Sequence, residues 1–387
     1  MIQSFDVFVL LIFVPVQWRI TVLWLRAARR LSARWAAIAR RAVFLIDALL
    51  AIGWVLDLVP ALGGPIVDGS VPLVLRTCTL TYGFAATGVL AVLNLLHVLR
   101  RMSGAEFNPG RRRMLNAAGN LALATPFAVL TYGALIERLD FHVREVDVPI
   151  PGLPDDLDGL RVLHLSDIHL SAFLSERELA RVIDAANGLH PHLAAITGDL
   201  ISRRGDPIDA CIRQLARLKA DAGVFGCMGN HEHFAEVEEY TAAAAARAGI
   251  PFLRGQSQQL RFGKAALNLA GVDYQPLNKK SGYLRGAERL IVPGATNLLL
   301  SHNPDVFPVA ARQGYNLMLS GHTHGGQVSV EILDQAINPA RFFTHYVYGL
   351  YRQGSAAAYV TRGIGTIGIP ARIGAPPEIS LLRLRKA

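Results

Sequence analysis

The apolar positions of this chain fall into two textures. Up to about residue 140 they form long runs, at about 5–25, 42–60, 77–99 and 114–136. Each is close to the roughly 20 residues that carry a helix across a hydrocarbon core. The third run, Thr77 to Leu99, holds no charged residue, whereas the first includes Pro15, Gln17 and Arg19 and the second Asp47 and Asp57. The pattern predicts a transmembrane region of about four helices over residues 1–140. From Phe141 onward the apolar runs shorten and are punctuated by Gly, Pro, Asp and His. Leu160 to Leu165, Leu193 to Thr197 and Gly223 to Met228 read as buried strands. Ser175 followed by Glu178 is a capping box opening a helix to about Asn187. Asp206-Pro207 predicts a second helix to about Leu218, with Asp206 as N-cap, and a third spans about Phe234 to Ala248. This strand and helix alternation predicts an α/β domain over residues 141–387.

Composition narrows the class. With 51% hydrophobic residues, 18% charged and three cysteines, the chain is neither disordered, collagenous nor a disulfide scaffold. Cys78 lies in the third run, and Cys211 and Cys227 read as buried free thiols. The mean hydropathy of +0.30 averages an apolar N-terminal region with an ordinary soluble domain.

Charge assigns a topology. The net +9 divides into +7 for residues 1–140, which hold 14 Arg and no Lys, and +2 for the remainder. The basic excess thus belongs to the hydrophobic region, and it argues against a nucleic-acid partner. Arg26, Arg29, Arg30, Arg34, Arg40 and Arg41 sit between the first two runs, and Arg100, Arg101, Arg111, Arg112 and Arg113 between the last two. Positive residues accumulate on the cytoplasmic side, so both links are expected to be cytoplasmic and everything after about Leu139 extracytoplasmic. The lack of a positive segment before the first run argues against a cleaved signal peptide.

The chemistry is concentrated where the strands end. Asp167-Ile168-His169 follows the first, Gly198-Asp199 the second and Gly229-Asn230-His231-Glu232 the third. Later, Leu298 to Leu300 ends in Ser301-His302-Asn303, and Leu317 to Leu319 in Ser320-Gly321-His322-Thr323-His324-Gly325. Functional groups of α/β sheets gather past the carboxyl ends of strands. A mixed set of His, Asp and Asn without cysteine suits Mn, Zn or Fe. A carboxylate can bridge two ions, and Asp199 stands alone between the paired motifs.

These motifs, in this order, resemble the calcineurin-like metallophosphoesterase superfamily: D-x-H, GD, GNH, H and GHxH are matched at Asp167/His169, Gly198-Asp199, Gly229-Asn230-His231, His302 and Gly321-His322-x-His324. Ser320 to Gln327, Arg362-Gly363-Ile364-Gly365-Thr366 and Gly374 to Ile379 are most similar to the membrane-anchored YkuE/YaeI-like phosphodiesterases. The resemblance implies a two-sheet αββα sandwich and two divalent metal ions. It implies that Asp167, His169 and His324 hold one ion, that Asn230, His302 and His322 hold the other, and that Asp199 bridges. It further implies that a metal-activated hydroxide attacks phosphorus while His231 protonates the leaving oxygen as general acid. The implied partners are a phosphodiester of lipids or the cell envelope and the bilayer of a bacterial inner membrane. A UDP-2,3-diacylglucosamine pyrophosphatase-like hydrolase and a non-catalytic metal-binding membrane scaffold are the alternatives. Arg203 and Arg204 read either as phosphate contacts or as a solvated loop. The aromatics of 341–351 read as a membrane-interface segment, as a lid over an apolar substrate, or as a strand or loop packing on the second sheet.

Overall fold

The computed structural model describes residues 2–29, 31–61, 70–102, 125, 128–171, 173–332 and 335–387. The chain divides into two compact units: Met1–Gly133 with Gly368–Pro370, and Ala134–Ile367 with Ala371–Ala387.

The first unit contains α1 (Ile2–Ala28), α2 (Ala33–Ala61) and α3 (Ser70–Met102). Among the described residues, two stretches, Leu11–Ala28 and Cys78–Val98, are long and apolar enough to cross a membrane. The expected second span does form a helix, but that helix also takes in Arg34, Arg40 and Arg41 from the expected loop. Ala and Arg are strong helix formers, so the link contracts to residues around Leu31. Asp47 is accommodated in its apolar run because Gln17 Nε2 donates to its carboxylate at 2.7 Å and Thr21 Oγ1 at 3.0 Å. Phe13 meets Phe84 edge to face at 5.0 Å, and Val16, Ile20 and Ala86 are buried together. The expected run at 114–136 lies largely outside the described residues; 128–135 are helical.

The second unit holds two mixed sheets. The first has five strands in the order β1 (His142–Ile150), β13 (Glu378–Lys386), β2 (Arg161–Leu165), β3 (Leu193–Thr197) and β4 (Val224–Cys227). The second has six, in the order β11 (Gly349–Gln353), β12 (Ala356–Val360), β8 (Leu317–Ser320), β7 (Thr296–Leu300), β6 (Ala265–Gly271) and β5 (Gln256–Phe262). β2, β3 and β4 run parallel, as do β6, β7, β8 and β12. A hairpin of β9 (Val330–Ile332) and β10 (Gln335–Ile337) stands apart from both sheets.

Side-chain alternation along the strands sorts the apolar residues into layers. Val162, Leu193, Cys227, Leu298, Leu317, Tyr359 and Leu382 fill the space between the sheets. Leu163, Leu165, Ala194 and Ile196 face the other way, toward Leu179, Val182 and Ile183 of α4 (Glu176–Asn187) and Cys211 and Leu215 of α5 (Ile208–Leu215). Leu299, Met318 and Ala358 cover the outer face of the second sheet with Phe307 and Ala310 of α8 (Phe307–Gln313). The result is the expected αββα sandwich. Cys211 and Cys227 are buried free thiols in different layers, and Cys78 is exposed.

Two local expectations are corrected. Ser175 caps α4 as a full capping box with Glu178, but Asp206 does not cap α5. Its carboxylate accepts the N–H groups of Ser202 and Arg203, both at 3.0 Å, closing the preceding loop instead. The third helix, expected from about Phe234, begins only at Glu238: Phe234 ends a separate short helix, α6 (Asn230–Phe234), and α7 covers Glu238–Arg247. Between them Glu236 takes a left-handed φ of 56°, which no α-helix continues through.

Candidate metal centre

Every motif named from the sequence reaches the same end of the two sheets. Asp167 and His169 follow β2, Asp199 follows β3, and Asn230 and His231 open α6 after β4. His302 follows β7, and His322 and His324 follow β8. Five of these residues have left-handed backbones: Asp167 (φ 51°), His169 (48°), Asp199 (55°), His322 (75°) and His324 (52°). Non-glycine residues rarely adopt this region, and such strain clusters at functional sites. Glycine is needed beside these residues: a Cβ at Gly229 would collide with the Asp199 carboxylate, and one at Gly321 with Asp167.

The side chains converge in two halves around Asp199. In one half, His169 Nε2 lies 3.1 Å from His324 Nε2, and His324 Nε2 lies 3.4 Å from Asp167 Oδ1. In the other, Asn230 Oδ1 is 3.0 Å from His302 Nε2 and 2.8 Å from His322 Nδ1. Oδ2 of Asp199 faces both, 3.6 Å from His169 Nε2 and 3.1 Å from His302 Nε2. Three groupings, Asp167/His169/His324, His169/Asp199/His231 and Asp199/His302/His322, each bring their donor atoms within 4.8 Å of one another.

Electrostatics fit this donor set to cations. Burial pushes His169 and His322 down to about 3 and His324 well below the usual imidazole range, so their lone pairs are free. Burial also raises Asp167 to about 6, against the pull of His302. At Asp199 burial opposes the charge, but His302 and His231 overcome it and hold the carboxyl well below its usual value. Burial likewise opposes the charge on His302, yet Asp199 keeps that imidazole up at about 9. The neutral imidazoles of His169, His322 and His324 and the buried carboxylates are donors of the kind divalent ions take, and His302 becomes one on giving up its proton.

Several residues outside the expected ligand set hold the cluster in place. Glu232 is buried, and its carboxylate accepts the N–H groups of Asp199 (2.9 Å), Leu200 (2.6 Å) and Gly229 (2.8 Å). Its position three residues after Gly229 is a capping-box spacing that the sequence displays. Thr197 O lies 2.6 Å from His302 Nδ1, and Ser202 Oγ lies 3.1 Å from His169 Nδ1. Arg372 is fully buried; it donates to the carbonyls of Gly365, Gly363, Ala375 and His324 and reaches His324 Nδ1 at 3.5 Å. Gly363, Gly365 and Ala375 share with Arg372 the segment between β12 and β13, which winds around the guanidinium, and His324 alone comes from another loop.

His231 stands at the edge of the cluster, half-buried, with its ring 4.7 Å from that of His169 and Nδ1 2.5 Å from Ser202 O. Its backbone N–H donates to Asp199 Oδ1 at 2.8 Å. Other histidines have local duties: His164 Nε2 meets Thr197 Oγ1 at 2.8 Å, and His233 Nδ1 lies 2.8 Å from Glu238. Arg203 lies 3.8 Å from Asp206, and Arg204 3.8 Å from Glu236. In the aromatic segment, Tyr346 and Tyr351 pack on the second sheet's outer layer and Tyr348 lies under Arg362. Phe342 and Phe343 stand out at 86% and 77% exposure.

The calcineurin-like phosphoesterase family matches residues 160–326. A Danio rerio protein named transmembrane protein with metallophosphoesterase domain is 31% identical over 280 residues, taking in 69% of this chain and 62% of that protein's length. The uncharacterized metallophosphoesterase YkuE of Bacillus subtilis is 30% identical over 293 residues, covering 74% of this chain and 99% of its own. An uncharacterized metallophosphoesterase of Campylobacter jejuni is 31% identical over 270 residues, covering 68% and 69%. The strand-end motifs, the αββα sandwich and these similarities make the chain a member of the calcineurin-like metallophosphoesterase family. Membership implies a metal-dependent phosphoester hydrolase.

Proposed function

We propose that the protein is a membrane-anchored phosphodiesterase that uses two divalent metal ions and acts on diesters of lipids or the cell envelope. The observation that carries this reading is the convergence of Asp167, His169 and His324 on one side of Asp199 and of Asn230, His302 and His322 on the other. In this reading those residues hold the two ions and Asp199 bridges them. Divalent ions at such a site supply positive charge that favours ionisation of a water and offsets charge growing on the phosphoryl oxygens. Asp199 and Asp167 orient the imidazoles through the contacts described, and Glu232 and Arg372 keep the loops from relaxing. His231, outside both ligand triplets and partly open, gives a proton to the departing ester oxygen.

Membrane anchoring is supported by Leu11–Ala28 and Cys78–Val98, by the exposure of Leu11, Trp18, Trp35 and Phe44 in the same unit, and by the names of the vertebrate relatives. The arginine distribution favours an active site on the extracytoplasmic side; a cytoplasm-only reporter active after Ala387 overturns that placement and favours a cytoplasmic substrate such as a nucleotide-linked lipid precursor. The catalytic reading is tested by comparing purified, Mn-loaded protein on bis(p-nitrophenyl) phosphate and p-nitrophenyl phosphate. The diester is expected to turn over faster, and a preference for the monoester contradicts the assignment.

A further inference from the structure

Beside the metal centre lies a run of aromatic rings that the proposed chemistry leaves unused. Phe234 sits three residues after His231 on α6, and three-residue spacing puts both on one helix face. Their ring centroids are 5.9 Å apart. Tyr274, on the loop that follows β6, meets Phe234 edge to face at 6.2 Å and an interplanar angle of 76°. It also approaches the rings of His322 at 6.0 Å and His302 at 6.2 Å. Rings therefore pass without interruption from the proposed acid, over Phe234 and Tyr274, to the ligands of the second half. His233 borders both, 6.1 Å from Phe234 and 6.4 Å from Tyr274, and is fixed by its 2.8 Å contact with Glu238.

This surface is preorganised and open. Phe234 is 52% exposed although it abuts one of the most polar regions of the molecule. A single exposed phenylalanine is ordinary, but this one is contiguous with rings that reach the metal ligands. Tyr274 is half-buried, and burial raises its hydroxyl to about 12, so it presents a neutral ring at any working pH. A departing ester oxygen must stand where His231 can protonate it, which brings the carbon group it carries within reach of Phe234, 5.9 Å from the His231 ring, and through Phe234 of Tyr274. Aromatic platforms of this kind favour planar π-systems through stacking and edge-to-face contact.

We infer that Phe234 and Tyr274 form a leaving-group subsite selective for alcohols that carry an aromatic ring. The inference rests on the phosphodiester reading and adds a substrate class to it. The test uses the full-length Mn-loaded protein with dibenzyl phosphate and diethyl phosphate, whose leaving alcohols are of similar acidity, together with binding of benzylphosphonate and methylphosphonate. Wild type is expected to favour the benzyl member of each pair by about tenfold, the scale of one stacking contact. Phe234→Ala and Tyr274→Ala are expected to erase most of that preference while leaving methylphosphonate binding unchanged, and Phe234→Trp to retain it. Phe234→Leu, which keeps apolar volume but not the ring, is expected to behave like Phe234→Ala. A benzyl preference that survives both alanine variants, or equal binding of the two phosphonates by wild type, overturns the subsite. Intact phosphonate selectivity with no hydrolysis of either diester overturns the phosphodiester reading and leaves the subsite standing.

Discussion

Nε2 of His169 stands 3.1 Å from Nε2 of His324 inside the protein. Burial keeps both rings neutral, so one proton at most lies between two nitrogen lone pairs. A shared proton or a bound cation satisfies such a pair, and the Asp167 carboxylate 3.4 Å from His324 Nε2 supplies the negative charge that favours the cation. His324→Ala removes one of these donors from a half that also contains Asp167, and leaves Asn230, His302 and His322 intact. Bound metal, measured by elemental analysis of protein purified with Mn, is expected to fall from about two ions per chain to about one. Two retained ions exclude His324 as a ligand.

Metal binding should be linked to protons through His302. Asp199 holds this imidazole at about 9, above its ordinary value, so the ring is protonated in metal-free protein at neutral pH. An ion must displace that proton, which makes affinity rise with pH up to about 9, by at most about tenfold per pH unit for one proton. Calorimetry at pH 7 in two buffers of different ionisation enthalpy reads the release directly. Identical heats in the two buffers contradict it.

Glu232 is a positioning residue whose loss should be felt in stability. Glu232→Ala leaves the N–H groups of Asp199, Leu200 and Gly229 without their acceptor, at about 1–3 kcal/mol for each buried group. Thermal unfolding of the metal-free protein is expected to drop by several degrees, and metal affinity to fall with it because Asp199 loses its support. An unchanged melting temperature indicates that water replaces the carboxylate.

Much of this was legible in the sequence because the apolar runs are short and each ends in a polar motif. Leu193 to Thr197 could only be a buried strand, and Asp199 two residues later had to lie at its end. The failures have local causes. Asp206 has the identity of a cap, but its carboxylate is taken by Ser202 and Arg203, and nothing in the residue types decides between two acceptable hydrogen-bonding choices. The Ala-rich stretch from Phe234 conceals a left-handed Glu236, which the turn geometry imposes rather than the glutamate. Arg372 was illegible because it acts on Gly363, Gly365, Ala375 and His324 at once, a set of carbonyls assembled only by the fold.

The exposed pair Phe342 and Phe343 is held on a turn that Asn338 caps by accepting the Ala340 N–H at 3.0 Å, so the rings project from a fixed base. Amphipathic or apolar rings of this kind anchor at membrane interfaces. Replacing both with serine is expected to slow hydrolysis of a vesicle-embedded phosphodiester several-fold while sparing a small soluble diester. Equal loss on the two substrates assigns the pair to folding.

The most direct test of the account is Asp199→Asn. The substitution keeps the size of the side chain and the acceptor for the His231 N–H, but removes the charge that faces His169 and His302 at 3.6 and 3.1 Å. Mn-dependent hydrolysis of bis(p-nitrophenyl) phosphate is expected to be abolished, because the carboxylate shared by the two ions is lost, while the protein still inserts and folds. Full activity in Asp199→Asn contradicts the bridged two-metal centre.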